Sequence, residues 1–202
     1  HIYNLDKDAT LNINTGSEKD QYIPRVKWTK DPNTVCIFRM NRHQNKLEFL
    51  FTNALTGESK IILTEENKYY IDINDDLTFL NNGKQFILTN ENNGFNHIYL
   101  YDISGKLIRQ VTQGNWEVTS LYGIDEKTGT VYYQSTETSP LKRDVYSIGL
   151  DGKNKKLINK TDGTTSATFS ADFSYYILDY SSSTIPNYIT LNNKSGKVIR
   201  VL

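Results

Sequence analysis

His97-Ile98-Tyr99-Leu100-Tyr101-Asp102, a break at Ser104-Gly105, then Leu107-Ile108-Arg109-Gln110-Val111-Thr112: this stretch decides the fold. Both runs are rich in aromatic and β-branched residues, which suit a pleated, half-buried surface, and the break carries turn chemistry. It reads as a β-hairpin. The same grammar recurs at Leu47–Phe51 with Thr56-Gly57 and Lys60–Thr64, at Asp144–Ile148 with Asp151-Gly152 and Lys156–Ile158, and at Tyr188–Leu191 with Ser195-Gly196 and Lys197–Val201. The hairpin glycines Gly57, Gly105, Gly152 and Gly196 follow one another at intervals of 48, 47 and 44 residues.

A second hairpin precedes each of these. Val26-Lys27-Trp28 turns at Asp31-Pro32-Asn33 into Val35–Phe38, and Leu77–Leu80 turns at Asn82-Gly83 into Gln85–Leu88. Leu121–Ile124 turns at Lys127-Thr128-Gly129 into Val131–Tyr133, and Ala167–Phe169 turns at Ala171-Asp172 into Tyr175–Leu178. Four strands per unit at a period between those of WD and kelch repeats is the pattern of a β-propeller blade. At the start, His1–Asp6 copies the pattern of His97–Asp102, with Ala9–Ile13 as its outer partner. The expected fold is therefore all-β: a partial β-propeller of about four four-stranded antiparallel blades plus a half blade. The expected boundaries are 1–14 for the half blade and 22–66, 69–113, 118–160 and 164–202 for the blades, all in one domain. A β-sandwich is the competing reading, and the periodic grammar argues against it. Trp28, Phe79, Tyr122 and Phe169 occupy the same slot ahead of each first turn and are expected to pack between sheets.

Composition agrees. The 202 residues include 14 Tyr and 8 Phe, and no long window carries the spacing of an amphipathic helix. With 23 basic and 23 acidic side chains the formal net charge is zero, which argues against nucleic acid or an anionic membrane surface as the main partner. No stretch approaches the ~18 apolar residues of a membrane helix. One cysteine, Cys36, leaves no internal disulfide to form. The chain opens at His1 inside an expected strand, so a piece of a longer protein is expected.

Catalytic signals are sparse. There is no Gly-x-Ser-x-Gly elbow and no strand-to-helix context to hold one. His1, His43 and His97 stand apart from carboxylates; His97 begins an expected strand, and His43 lies in an expected loop. One cysteine and scattered histidines do not make a metal site. Glu65-Glu66 reads as a solvated connection between blades, and Asp75-Asp76 as turn chemistry ahead of an inner strand, with lining of a central channel mouth as the alternative. Trp116, beside Glu117, reads as packing between blades. Ser181-Ser182-Ser183 has no histidine placed to activate it. No catalytic, substrate-binding or metal residue is put forward, and no cofactor is expected.

Particular strings carry a family resemblance. Asn93–Asp102, Gly114-Asn115-Trp116-Glu117-Val118, Val131–Ser135 with Ser139-Pro140-Leu141-Lys142-Arg143, Tyr22–Trp28 and Asp75–Leu80 stand in one order across the chain. In that order they resemble the N-terminal β-propeller of the dipeptidyl peptidase IV family, within the prolyl oligopeptidase group. The Asn- and Lys-rich style resembles a bacterial, Bacteroides-like member.

The resemblance implies a serine peptidase as the full-length parent, removing N-terminal dipeptides with Pro or Ala second. This chain would be its non-catalytic propeller segment, restricting access to the active site. The α/β-hydrolase domain with its triad and the amine-binding glutamates would lie outside it; Glu65-Glu66 does not match that motif. The implied partners are that hydrolase domain, a peptide substrate and a second copy of the parent, and the implied location is periplasmic or at the cell envelope. The alternative is a propeller that serves only as a protein-interaction scaffold. In the family, the stretch before Leu77-Thr78-Phe79-Leu80 lies near the substrate cavity. Here it is Tyr69-Tyr70-Ile71-Asp72-Ile73, with Asp72 the first residue to examine.

Overall fold

Each hairpin turn is closed by the residues that mark it in the sequence. The N–H of Gly57, Gly105, Gly152 and Gly196 donates to the carbonyl of Asn53, Asp102, Gly149 and Asn193, at 2.8–3.0 Å. Side-chain oxygens of Asn53, Asp102 and Asn193 accept further N–H groups within the same turns, the Asx geometry that pins a loop locally. Glycine is required here for two reasons at once. Gly105 has φ +88°, and a Cβ on it would collide with the carbonyl oxygen of Ile62. The turn glycine therefore sets both the backbone hand and the close approach of one hairpin to the strand before it.

In a computed structural model, which describes residues 1–159 and 163–202, the strands these turns connect form five antiparallel sheets. β1 (Ile2–Asn4) and β2 (Ala9–Leu11) form a two-stranded sheet. β3 (Gln21–Trp28), β4 (Thr34–Asn41), β5 (Lys46–Asn53) and β6 (Ser59–Glu66) form the next, paired in chain order. β7 (Thr78–Phe79), β8 (Gln85–Asn90), β9 (His97–Asp102) and β10 (Leu107–Gln110) follow. Then come β11 (Val118–Asp125), β12 (Thr130–Ser135), β13 (Asp144–Gly149) and β14 (Lys156–Leu157). The last sheet is β15 (Thr164–Phe169), β16 (Tyr175–Ser181), β17 (Tyr188–Asn193) and β18 (Val198–Val201). There is no helix among the described residues, so none is long and apolar enough to cross a membrane. This is the blade repeat of a partial β-propeller, all-β as its periodicity implies. Residue 160, where the expected third blade ends, lies outside the described residues.

The chain forms two compact units, His1–Phe86 with Tyr101–Lys106, and Ile87–Leu100 with Leu107–Leu202. In the first, Val35, Ile37 and Leu50 form a buried cluster against which Ile2 and Ile13 pack. An aromatic row continues the core: Phe51 lies 5.7 Å from Phe79, Phe79 lies 5.8 Å from Phe86, and Phe86 stacks on Tyr101 at 5.4 Å. In the second, Trp116 stacks on Tyr133 at 6.2 Å and Tyr133 on Tyr146 at 5.6 Å. Within the same unit the Ala167 N–H donates to the Tyr122 hydroxyl, and Gln134 Nε2 to the Thr165 carbonyl, tying the last two sheets together.

Phe79 is 7% exposed, and Tyr122 and Phe169 are half-buried. Trp28 departs from the expectation: it is 59% exposed. With Val26 and Ile23 it lines an open cavity of about 610 Å³, beside Val35 and Ile37, against which Ile2 and Ile13 pack. Slot identity places a side chain on a face; the neighbouring sheet buries it.

Candidate functional site

Between β6 and β7 runs a segment without regular structure, residues 67–77, held at both ends. At its start the Asn67 N–H donates to the Asn45 carbonyl (3.0 Å) and the Ile71 N–H to the Gln44 carbonyl (2.9 Å), so the β4–β5 turn braces it. At its end two basic residues of β3 reach across. The Arg25 guanidinium grips Asp75 through Nε–Oδ1 at 2.6 Å and Nη2–Oδ2 at 3.4 Å, and Lys27 Nζ donates to the Asp75 and Leu77 carbonyls. The Arg25 hydrogen bond holds the Asp75 carboxyl below the usual carboxylate range. Arg25 and Lys27 are two residues apart and therefore on one face of β3, which is how both converge on a single loop end.

This bracing displays aromatic side chains. Tyr69 is 77% exposed and Tyr70 is exposed beside it, with Lys68 Nζ 5.1 Å from the Tyr69 ring centroid. Asp72 is exposed on the same segment. Tyr22, from β3, packs under Arg42, whose guanidinium lies 5.5 Å from the ring centroid and 3.7 Å from Asp20. The cluster can stack on apolar or planar groups and accept hydrogen bonds through a carboxylate on a fixed backbone.

The remaining sequence candidates fall elsewhere. Glu65 and Glu66 are not a connection but the last two residues of β6. Strand alternation turns Glu65 inward, where it is buried, and leaves Glu66 outward, 3.6 Å from Lys46. Asp75 has the turn-and-brace role given above, and the Asp76 N–H donates to Asn74 Oδ1 at 3.1 Å. His97 is buried, with its ring nitrogens 3.1 Å from Thr112 Oγ1 and 3.0 Å from the Gly114 carbonyl and its ring edge-on to Trp116. His43 sits in the β4–β5 turn. Ser182 Oγ accepts from the N–H groups of Thr184 and Ile185, closing a turn. Burial pushes the Cys36 thiol up to about 12, which leaves it inert as a nucleophile. Among the described residues no three His, Cys, Asp or Glu side chains gather as metal ligands.

Sequence reasoning missed Arg25 and Lys27. The signal was the alternation of basic residues on β3, with their partner 50 residues away at the entry to the following sheet.

Repeated four-stranded sheets and a loop braced between them define a β-propeller segment. The model of the dipeptidyl peptidase IV (DPP IV) N-terminal region matches residues 1–187, and the chain belongs to that family. It is 28% identical to dipeptidyl peptidase 4 of Trichophyton rubrum over 98% of this chain and 27% of that protein. It is 30% identical to dipeptidyl peptidase 4 of Arthroderma otae over 92% of this chain and 25% of that one. The crystal structure of Porphyromonas gingivalis dipeptidyl peptidase 4 superposes with a TM-score of 0.92 at 37% identity, covering 99% of this chain and 28% of that one. That likeness to a bacterial structure agrees with the bacterial style of the sequence. The chain spans about a quarter of the length of these relatives.

Proposed function

We propose that this chain is the non-catalytic propeller segment of a serine-type dipeptidyl peptidase, and that residues 67–77 form part of the wall past which substrate reaches the active site. The parent removes dipeptides from polypeptide N-termini, with Pro or Ala as the second residue. Its chemistry belongs to an α/β-hydrolase domain on the same parent chain, where a serine nucleophile, its base and the oxyanion donors can be held together. The propeller contributes access and orientation. The blades take the boundaries 22–66, 69–113, 118–160 and 164–202, the parent pairs as a homodimer, and it works in the periplasm or at the cell envelope.

The observation that carries this reading is the family match across residues 1–187, joined to a segment that holds Tyr69, Tyr70 and Asp72 outward on a braced backbone. The experiment is hydrolysis of a Gly-Pro chromogenic substrate by the full-length parent and by this chain alone. The parent is expected to turn over and to be silenced by a serine-directed phosphonate, and this chain is expected not to. A folded but inactive parent would withdraw the peptidase assignment in favour of an interaction scaffold, and turnover by this chain alone would reveal a catalytic site within it.

A further inference from the structure

Two turns of the molecule share one hydrogen-bond pattern and differ in the kind of residue that takes the positive-φ position. In the β7–β8 turn the Leu80 N–H donates to the Gln85 carbonyl at 3.0 Å and the Gly83 N–H to the Leu80 carbonyl at 3.0 Å. In the β15–β16 turn the Ser170 N–H donates to the Tyr175 carbonyl at 3.0 Å and the Phe173 N–H to the Ser170 carbonyl at 2.9 Å. The fourth residue has φ +64° where it is Gly83 and +56° where it is Phe173. For a bulky side chain that region is an outlier, and such strain persists only where the surroundings over-determine it.

They do so here. Asp172 accepts hydrogen bonds from both Ser170 Oγ (2.7 Å) and Ser174 Oγ (2.6 Å), fixing the turn. The Phe173 ring stacks on Tyr132 at 5.2 Å with 11° between planes and leans on Phe169 at 5.6 Å. It passes so close to Gly123 that a Cβ there would lie 3.0 Å from Phe173 Cζ.

Phe173 remains half-exposed, and with Tyr132, Phe169 and Tyr176 it lines a cavity of about 730 Å³ inside the second unit. That volume is within the range of small-molecule sites. The rest of the lining carries both donors and acceptors, among them Thr130, Ser147, Asn154 and Ser195. Its charges balance: Asp151 and Lys156 are both in the lining, and the Lys194 ammonium is bound to the buried carboxylate of Asp125. A polyanion would find no surplus of positive charge, and a purely apolar ligand would strand the polar lining. A pyranose ring answers both halves, with a flat C–H face for the aromatic rings and a perimeter of hydroxyls that donate and accept. We propose that this cavity binds a neutral oligosaccharide, a function separate from the peptidase reading and independent of it.

The test is saturation-transfer difference NMR on the full-length protein with cellotriose, maltotriose and triacetylchitotriose at millimolar concentration. At least one is expected to receive saturation on its ring C–H protons. Phe173→Gly installs the residue that the sister turn uses and removes the ring; it is expected to weaken binding about tenfold, as loss of one good aromatic contact would. Lys156→Trp, on the exposed edge strand β14, is expected to close the mouth and abolish the signal whether or not the glycine variant folds. Peptide hydrolysis by both variants is expected to match the wild type. No transfer to any of the three sugars, or wild-type affinity in Lys156→Trp, would overturn the proposal.

Discussion

Trp28 and Trp116 are the two tryptophans of this chain, and they have opposite surroundings. Trp116 is wedged edge-on to His97, stacked on Tyr133, and lies 5.9 Å under Lys155 Nζ. Trp28 ends β3 with its ring over an open cavity, flanked by the exposed Val26 and Ile23. The sequence context of Trp28 is the more regular of the two, since it stands in a repeat slot shared with the buried Phe79. The difference shows that a shared repeat slot does not by itself fix burial; the hydrophobic contribution of a residue is set by the side chains that pack against it.

The comparison can be broken by mutation, and the largest effect is expected at Phe79. Truncation to Ala removes a ring packed against Phe51 and Phe86 and should cost about 3–5 kcal/mol in denaturant unfolding. Trp116→Ala should cost less, about 1–3 kcal/mol, because its ring is only half-buried. Trp28→Ala should stay within about 1 kcal/mol. If Trp28→Ala cost as much as Phe79→Ala, the open face would have to be covered in solution.

Two ion pairs differ in burial in the same way. Arg25–Asp75 is open to water on both sides, whereas the Asp125 side chain is only 4% exposed in its pair with Lys194. Arg25→Ala should change stability by less than about 1 kcal/mol, and Lys194→Ala by more. Burial by itself would raise the Asp125 carboxyl, but hydrogen bonds from Lys194 and Thr128 outweigh it and hold the group below the usual carboxylate range. A depressed folded-state value means the pair stabilises above the unfolded carboxylate range near pH 4 and that this contribution is lost as pH falls through the lower folded value. Melting temperature followed from pH 6 down to pH 2 should therefore fall less steeply in Asp125→Asn than in the wild type.

The fold was legible because its markers are local. Glycines at intervals of 48, 47 and 44 residues, with Asx partners beside them, announce hairpins whatever surrounds them. What escaped the sequence is what depends on distant residues. Trp28 looked like core because its slot repeats, yet its ring lies over an open cavity. Glu65-Glu66 looked like a connection because it follows an outer strand and precedes Asn67-Lys68, yet β6 extends through both and buries one. Tyr69, Tyr70 and Asp72 could be named from the family resemblance, but the segment that carries them is held by the Gln44 and Asn45 carbonyls at its start and by Arg25 and Lys27, some 50 residues away, at its end. Phe173 was hidden for the opposite reason: a phenylalanine in a turn attracts no notice until its counterpart proves to be a glycine with positive φ.

The central claim, that the braced segment borders the path of the substrate, is tested most directly by steady-state kinetics of the full-length parent carrying Tyr70→Ala with Asp72→Ala. Loss of surface contacts made equally in ground and transition states should raise KM about fivefold to tenfold with kcat unchanged, the equivalent of about one hydrogen bond. A double variant with wild-type KM and kcat on dipeptide and longer peptide substrates alike would contradict the account.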